Sequence, residues 1–406
     1  MSSAYPHAPR SLPPAPNLRH LKDQARDLLR AGEATSLANA QFKIARSYGF
    51  ASWPKLRAHV ELLEETGQLK HAIDTNDLTA VRRLMTRNPS LHRAPLGYRD
   101  GGPLTWAAEC RGLTGGAFAA RLEIVDWMIR HGSDVHQGGD GPLMRAALRD
   151  ERIPMMELLV AHGANVNALW NGWFPILFAP CESVDPGVIE WLLQHGADPN
   201  LRGARSGETP LDYLLEGYGR SREIGRCIDI LMAAGGQTRN DVPGVLEVIR
   251  DQPDPLGALL DARPELIRQP LPALLLGNTG GRRLVAGGAT LLHLAAEFGC
   301  AEAATLLIAR GADVNARAVV DEQGVGGQTP LFHAVAQYND AGLAVARALL
   351  EAGADLSVRA KIPGSYEKMD EIVECTPLEY AERFPGDEFP GSNSGTLELL
   401  RSRAKP

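Results

Sequence analysis

Histidines are the residues of this chain whose type and spacing could support chemistry. His131, His162 and His195 each follow an apolar segment and precede a glycine, and His293 and His333 lie within two further apolar segments. Acid–base catalysis needs a nucleophile, a carboxylate or metal ligands beside the imidazole. The sequence contains no H-E-x-x-H, G-x-S-x-G, phosphate-binding loop, G-x-G-x-x-G or paired CxxC motif. We therefore predict structural roles for these histidines, with no catalytic residue, no metal ion and no cofactor.

Short helices carry these histidines, and residues 289–318 show the pattern most clearly. Apolar side chains recur there at helical spacing in two successive runs. Thr290 is placed to cap the first helix through its hydroxyl, and Gly299 and Gly311 permit the left-handed turns that end the two helices. A helix pair of this length cannot bury its apolar face alone, so it needs neighbours of the same kind.

The same pattern recurs along the chain. Four further helix ends lead into glycine, a small residue and Asp or Asn, at Gly132, Gly163, Gly196 and Gly353. Thr-Pro-Leu helix starts occur at Thr209, Thr329 and Thr376. This set resembles the ankyrin-repeat family, whose units of about 33 residues start with T-P-L-H-x-A. The resemblance covers roughly residues 69–403. It implies an all-α solenoid of helix–turn–helix units with β-turn fingers, in which His293 and His333 take the T-P-L-H histidine position and bridge neighbouring units.

The predicted organisation has four parts. Residues 1–16 form a Pro-rich lead-in that we expect to be disordered, and residues 17–66 form a small three-helix segment. Array one, residues 69–240, holds about five units. Array two, residues 241–406, holds about four units, long fingers and a C-terminal cap.

The N-terminal segment has its own helix signals. Asn17 is the predicted cap of a first helix with Leu29 on its apolar face, and a third helix starts near Trp53 and buries Leu63. The segment resembles one found before ankyrin arrays in bacterial proteins, which implies a protein of bacterial type. Helix-turn-helix spacing around residues 44–52 keeps DNA binding by residues 17–65 open as an alternative.

Composition disfavours nucleic-acid and membrane partners. The net charge is −7, and residues 1–66 carry nine Lys/Arg against six Asp/Glu, which offers few phosphate contacts. No stretch approaches the roughly 20 apolar residues that span a bilayer, and the N-terminus has no apolar run of the signal-peptide type. The five cysteines show no ligand spacing, which predicts unpaired thiols in a reducing cytoplasm.

Finger residues that depart from the repeat pattern are candidate binding residues, because stacking does not require them. In array one these are Trp170 and Trp173 in one finger and Arg202 and Arg205 in the next, about 8–10 Å along the stack. Exposed Trp and Arg are enriched in binding hot spots, although both tryptophans could instead fold back onto the stack. In array two the fingers 316–328 and 357–375 are long, and their candidates are Arg359, Lys361, Tyr366 and Glu367.

The inner helices supply the remaining candidates, since ankyrin proteins typically bind with their fingers and their concave face. These candidates are Trp106, Glu109, Arg145, Tyr213, Glu297, His333, Gln337 and Tyr338.

The sequence therefore predicts a non-catalytic protein–protein interaction scaffold that binds a protein or peptide on its concave face and fingers. An enzyme with a site in the groove under the long array-two fingers stays open as an alternative. Such a site would require His333, Glu297 and Tyr366 to converge in a deep pocket. A small-molecule ligand is also left open.

Overall fold

The structure is a computed structural model. It describes residues 10–13, 16–110, 112–217, 221–272, 288–335, 337–363, 371–383 and 393–404, without the side chains of Asp100, Asp150, Tyr338 and Pro363. In these ranges the chain is mostly helical.

The α-helices follow one another in short pairs along most of the chain. They are α1 Leu18–Arg30, α2 Leu37–Ser47, α3 Trp53–Asp74, α4 Leu78–Arg87, α5 Pro103–Ala108, α6 Gly115–Arg130, α7 Gln137–Ala146, α8 Ile153–Ala161, α9 Phe178–Ser183, α10 Pro186–Gln194, α11 Pro210–Glu216, α12 Ile224–Ala233, α13 Val245–Ile249, α14 Pro253–Ala262, α15 Leu291–Phe298, α16 Ala301–Ala309, α17 Pro330–Ala334, α18 Leu343–Glu351, α19 Pro377–Arg383 and α20 Ser394–Ala404. Short 3-10 helices lie at Pro89–Arg93, Tyr98–Asp100, Asp150–Arg152, Pro264–Ile267 and Tyr338–Asp340. No described helix combines the length and apolar character needed to cross a membrane.

Two compact units divide the chain. The first comprises residues 1–146 and 154–165, and the second comprises residues 147–153 and 166–406. The predicted boundary between arrays at residue 240 concerns the grouping of repeats and stays a prediction.

The N-terminal helices of the first unit pack around a small core of their own. The Asn17 side chain accepts from the backbone N of Arg19 and of His20 at 2.8 and 3.3 Å, as its predicted cap role requires. Leu21 and Leu56 are buried in this core. Leu29 and Leu63 are exposed, so their predicted burial is wrong. The buried positions of α3 skip from Val60 to Thr66, which leaves the turn with Leu63 in solvent.

Helix α3 joins the N-terminal core to the first helix pair. It runs without interruption from Trp53 to Asp74, so the predicted end of the three-helix segment at residue 66 falls inside a helix. Its last turns pack against α4. Glu65 accepts from Arg87 at 2.7 Å and from Asn88 at 2.6 Å, which ties the two helices together. Residues 1–9 and 14–15 of the predicted lead-in lie outside the described residues.

Glycines end the repeat helices as predicted. Gly299 and Gly311 have φ of +69° and +84°, and the glycines at 132, 163, 196 and 353 also have positive φ. Thr290 and His293 hold the start of α15. The His293 Nδ1 accepts from the backbone N of Thr290 at 3.0 Å, and the Thr290 hydroxyl lies 3.0 Å from the same nitrogen.

Finger asparagines connect successive turns in the second unit. The Asn200 amide donates to the Gly235 O at 2.9 Å and accepts from the Gln237 N at 2.8 Å. The Asn315 amide makes the same two bonds to the turn that contains Gly353, at 3.2 and 2.8 Å. The repetition shows that the helix pairs stack in register.

The fingers of the second unit contain its strands. Strands β1 (Leu169–Trp170) and β2 (Phe174–Pro175) form an antiparallel hairpin, as do β3 (Ala360–Pro363) and β4 (Ile372–Cys375). The two long fingers contact each other, because the Gly326 N donates to the Lys361 O at 2.7 Å. The two long fingers are therefore neighbours in the stack and are joined through their backbones.

All five cysteines are buried free thiols, as predicted. Burial raises the pKa of Cys227 to about 12 and that of Cys375 to about 11, which keeps both thiols protonated and unreactive.

Candidate partner-binding surfaces

A cluster of aromatic rings supports the finger between α8 and α9. The rings of Phe178 and Tyr213 stack with their centroids 4.3 Å apart, and Phe174 meets both edge-on. The Tyr213 hydroxyl also donates to Glu182 at 3.1 Å. Tyr213, predicted as a binding residue of the inner helix, thus helps to hold the β1–β2 hairpin.

Trp170 packs into this hairpin. Its ring meets Phe174 edge-on at 5.7 Å, and the residue is only 9% exposed. Of the two alternatives left open by the sequence, Trp170 takes the one in which the ring folds back onto the stack.

Trp173 takes a different position, half-buried at the turn of the hairpin. The guanidinium of Arg205, in the next finger, lies over its indole at 4.0 Å from the ring centroid. The Ala204 N donates to the Trp173 O at 3.0 Å, which holds the two fingers side by side. The structure therefore brings together Trp173 and Arg205, as the repeat spacing predicted.

Arg202 lies on the same finger as Arg205. Both residues are exposed, and Arg202 donates to the Gly207 O at 2.6 Å. Glu208, at the end of this finger, is buried, and its Oε2 has no hydrogen-bond partner. The Trp173 Nε1 is likewise buried without a partner. Trp173 on one finger and Arg202 and Arg205 on the next form one surface. This surface is called the arginine finger below, in the sense of a repeat finger that carries arginines and not of a catalytic arginine.

The predicted inner-helix residues of the first unit form contacts within that unit. The Trp106 Nε1 donates to Asp74 at 2.7 Å, and the Lys70 ammonium lies over the Trp106 ring at 4.2 Å. Glu109 and Arg145 form an ion pair at 2.6 Å with little solvent exposure. A cavity of about 250 Å³ beside them is lined by Asp74, Trp106, Glu109, Cys110, Leu113 and Arg121.

Asp74 and Lys70 were not among the predicted site residues. Burial raises the pKa of Asp74, but hydrogen bonds from Lys70 and Trp106 outweigh it and leave the pKa below the usual value. Both residues lie near the C-terminal end of α3, ahead of the first recognisable repeat. The i, i+4 spacing of Lys70 and Asp74 was the available signal in the sequence.

Glu297 and His333 meet inside the stack of the second unit. The His333 Nδ1 lies 2.9 Å from the Glu297 carboxylate, and the His333 Nε2 is buried without a hydrogen-bond partner. Gln337 donates to the His333 O at 2.8 Å. The three predicted inner-helix residues are therefore buried, and Tyr338 is described only as backbone in a 3-10 helix.

His293 and His333 do not share one role. His293 bonds to the Thr290 N at the helix start, and its Nε2 donates to the Gln328 O of the next unit at 3.1 Å. Phe332 occupies the corresponding place in α17, since His333 lies four residues after Thr329 instead of three. The predicted T-P-L-H position is thus right for His293 and wrong for His333, whereas the predicted bridging of neighbouring units holds for both, since His333 contacts Glu297 of the preceding helix pair.

Among the candidate residues on the long fingers, Arg359 forms contacts within the protein. Arg359 donates to the Glu374 O at 2.9 Å and contacts Glu379 at 3.2 Å, which braces the finger against α19. Lys361 is exposed on β3. Tyr366 and Glu367 lie outside the described residues.

The three histidines before glycines have structural contacts. The Nδ1 atoms of His131 and His195 lie 2.7 and 2.8 Å from the O of Trp127 and of Trp191, and each imidazole stacks on that indole. His162 differs, because its Nε2 bonds to the Asp126 carboxylate at 2.9 Å. Among the residues that the structure describes, no group of three or more His, Cys, Asp or Glu side chains could hold a metal ion.

Comparison with known proteins identifies the repeats. A family model described as "Ankyrin repeats (3 copies)" matches residues 116–203 and 271–360. These segments are ankyrin repeats. The fold is accordingly the predicted ankyrin-repeat fold, with short helix pairs, glycine turns and fingers, preceded by further helices.

Two curated proteins to which the chain is similar are eukaryotic. The chain is 40% identical over 182 residues to the mouse "B-cell lymphoma 3 protein homolog" and 28% identical over 137 residues to the "Ankyrin repeat protein nuc-2" of Neurospora crassa. The matches cover 42% and 33% of this chain but only 38% and 12% of those relatives. A solved structure, the ankyrin repeat domain of human ASB11, is 23% identical with a TM-score of 0.31, over 65% of this chain and 98% of that one.

Proposed function

We propose that this chain is a non-catalytic ankyrin-repeat scaffold that binds a protein or peptide through its fingers and inner helices. The observation that carries this proposal is the arrangement of the arginine finger. A half-buried indole with an arginine on its face, presented on a braced turn, is the type of residue pair that dominates binding energy at protein interfaces. Ankyrin repeats imply such a scaffold in general, and the arrangement of Trp173 and Arg205 supports a binding surface on these two fingers.

Rigidity supports the same assignment. The aromatic cluster of Phe174, Phe178 and Tyr213 fixes the hairpin that carries Trp173. A side chain held in its binding conformation loses less entropy when the partner arrives, so more of the contact energy appears as affinity.

The remaining sequence predictions, a cytoplasmic location and a bacterial type, belong to this proposal.

Substitution of Trp173 by Ala in the full chain tests the proposal. Proteins captured from a lysate by the wild-type chain should be lost from the Trp173→Ala variant and retained by Arg347→Gln, which changes an exposed arginine on α18. An unchanged set of captured proteins would remove the arginine finger from the binding surface. Trp170→Ala is a poor test, because this ring is part of the hairpin core.

No observation favours the enzyme over the scaffold. Glu297 and His333 do converge, but both are buried, and Tyr366 lies outside the described residues. The enzyme and the DNA-binding segment at residues 17–65 stay alternative predictions.

A further inference from the structure

We infer that the partner segment bound by the arginine finger is an acidic peptide, whose carboxylate or phosphate groups bind Arg202 and Arg205 while an apolar side chain contacts the rim of Trp173. This inference rests on the proposed function and adds the chemical class of the partner.

The charge balance of the two fingers is the first argument. Residues 169–175 carry no charged side chain, and residues 201–208 carry two arginines and one glutamate. Glu208 is only 6% exposed and forms no ion pair with either arginine. The surface that the fingers present to solvent is therefore positive, within a chain whose net charge is −7.

The contacts of the two arginines are the second argument. Arg202 bonds to the Gly207 O, and Arg205 lies over the Trp173 ring, but neither has a carboxylate partner among the described residues. Elsewhere in the same unit Arg239 is neutralised by Glu216 at 2.6 Å. The guanidinium groups of the arginine finger are thus held in place while their charge stays available.

Guanidinium geometry determines what such a site binds. The planar guanidinium presents paired N–H groups that match a carboxylate or a phosphate in a two-bond arrangement. The Arg205 guanidinium carbon lies over the Trp173 ring at 4.0 Å from its centroid, and a contact of this kind uses none of the N–H donors in a hydrogen bond. An anionic group approaching from the edge meets a donor set that is already oriented, so the ordering cost is small.

Nucleic acid fits the arginine finger less well than an acidic peptide. Binding of single strands relies on aromatic faces on which bases stack. Arg205 already lies over one face of Trp173, and Trp170 is only 9% exposed, so the two indoles do not form a stacking surface for successive bases. A peptide needs only the arginine edges and the exposed rim of the indole.

Selection from a random-peptide display library on the full-length chain tests the inference. Selected peptides should be rich in Asp and Glu next to an apolar residue. A labelled synthetic copy of the most enriched peptide should bind about tenfold or more weakly to the Arg202→Gln/Arg205→Gln variant, and with unchanged affinity to Arg347→Gln. Its affinity should also fall as salt increases.

Further arms of the experiment separate the outcomes. Replacement of one acidic residue by phosphoserine identifies the preferred anion: tighter binding points to phosphate and equal binding to carboxylate, and both support the inference. Neutral or basic peptides whose binding depends on Trp173 would overturn the acidic partner and leave the scaffold intact. An oligonucleotide that binds more tightly than the peptides would also overturn it. If no peptide is enriched above background, the inference and the arginine finger as a binding site both fail.

Discussion

The side-chain amide of Asn167 joins its repeat to the next one at the turn formed by Gly196. The Asn167 Nδ2 donates to the Gly196 O at 2.8 Å, and its Oδ1 accepts from the Asp198 N at 2.7 Å. One side chain therefore satisfies a carbonyl and an N–H of the neighbouring turn at the same time. Since two groups two residues apart must both be met, the contact fixes the register between the units.

Asn167→Ala should lower the free energy of unfolding by about 1 kcal/mol, because the two bonds are solvent-exposed and each contributes at the lower end of the usual range. Urea denaturation measures this difference. Gln194→Ala, an exposed amide on α10, is the matched control and should change stability by less than about 0.5 kcal/mol. Equal effects of the two substitutions would contradict the role of Asn167 in register.

Gly311→Ala and Gly67→Ala should have effects of opposite sign. Neither position has an atom within 4 Å of an added Cβ, so packing is not the cause. Gly311 has φ of +84°, where a Cβ costs about 1–2 kcal/mol, whereas Gly67 lies inside α3, where alanine should stabilise by about 0.5–1 kcal/mol. Thermal melts of both variants test the pair, and a stabilising Gly311→Ala would show that the turn assignment is wrong.

Leu307→Ala should cost about 2–5 kcal/mol, since this side chain is fully buried in α16. Leu306, the preceding residue of α16, has intermediate exposure. Leu306→Ala should therefore cost clearly less. Denaturant titrations in which both variants lost equal stability would mean that the inward face of α16 is assigned incorrectly.

Stability should fall as the pH decreases from 7 to 5, in part because of His293. Burial lowers the pKa of His293 to about 3 from its usual 6.5, with His333 as a further cause. The unfolded chain therefore takes up a proton near pH 6.5 and the folded protein only near pH 3. Protons favour the unfolded state between these values, with a limiting slope of about 1.4 kcal/mol per pH unit.

His293→Gln should flatten this dependence, because glutamine does not titrate. Urea denaturation at pH 7, 6 and 5 measures the slope in a range where most carboxylates stay ionised. His92, whose pKa burial also lowers, accounts for part of the slope that remains. His20→Gln, at an exposed position, serves as the control. A slope that is the same in His293→Gln and in the wild type would contradict the burial of a neutral imidazole.

Much of the fold was predictable because its rules are local. Glycine ends a helix through its own φ, and short apolar runs at helical spacing need copies of themselves, so Gly299, Gly311 and the repeat pattern could be read from neighbouring residues. The exposure of Leu63 was harder to predict from the sequence. Its burial depends on which helices lie beside α3, and spacing along the chain does not contain that information.

The candidate site was predictable only in part. The repeat spacing predicted that Arg205 lies near Trp173. The sequence does not show, however, that Trp173 differs in exposure from Trp170, three residues earlier. Phe174 does not distinguish the two rings, because it meets both edge-on, at 5.7 Å and 5.3 Å; the difference is that Trp170 is buried in the hairpin while Trp173 meets Arg205 of the next finger. For His333 the predicted position was wrong by one residue relative to Thr329, but its buried contact with Glu297 of the preceding helix pair does bridge neighbouring units, as predicted.

Site-specific photo-crosslinking tests the central claim, recognition by the arginine finger, most directly. A photoreactive amino acid replaces Ser206, which is exposed beside Arg205, in one full-length protein and Arg347, on α18, in another, and each protein is illuminated in the presence of cell extract. We expect a discrete adduct from position 206 that forms poorly when Trp173 is also changed to Ala, and none from position 347. Adducts from position 347 alone, or equal adducts from both positions, would contradict it.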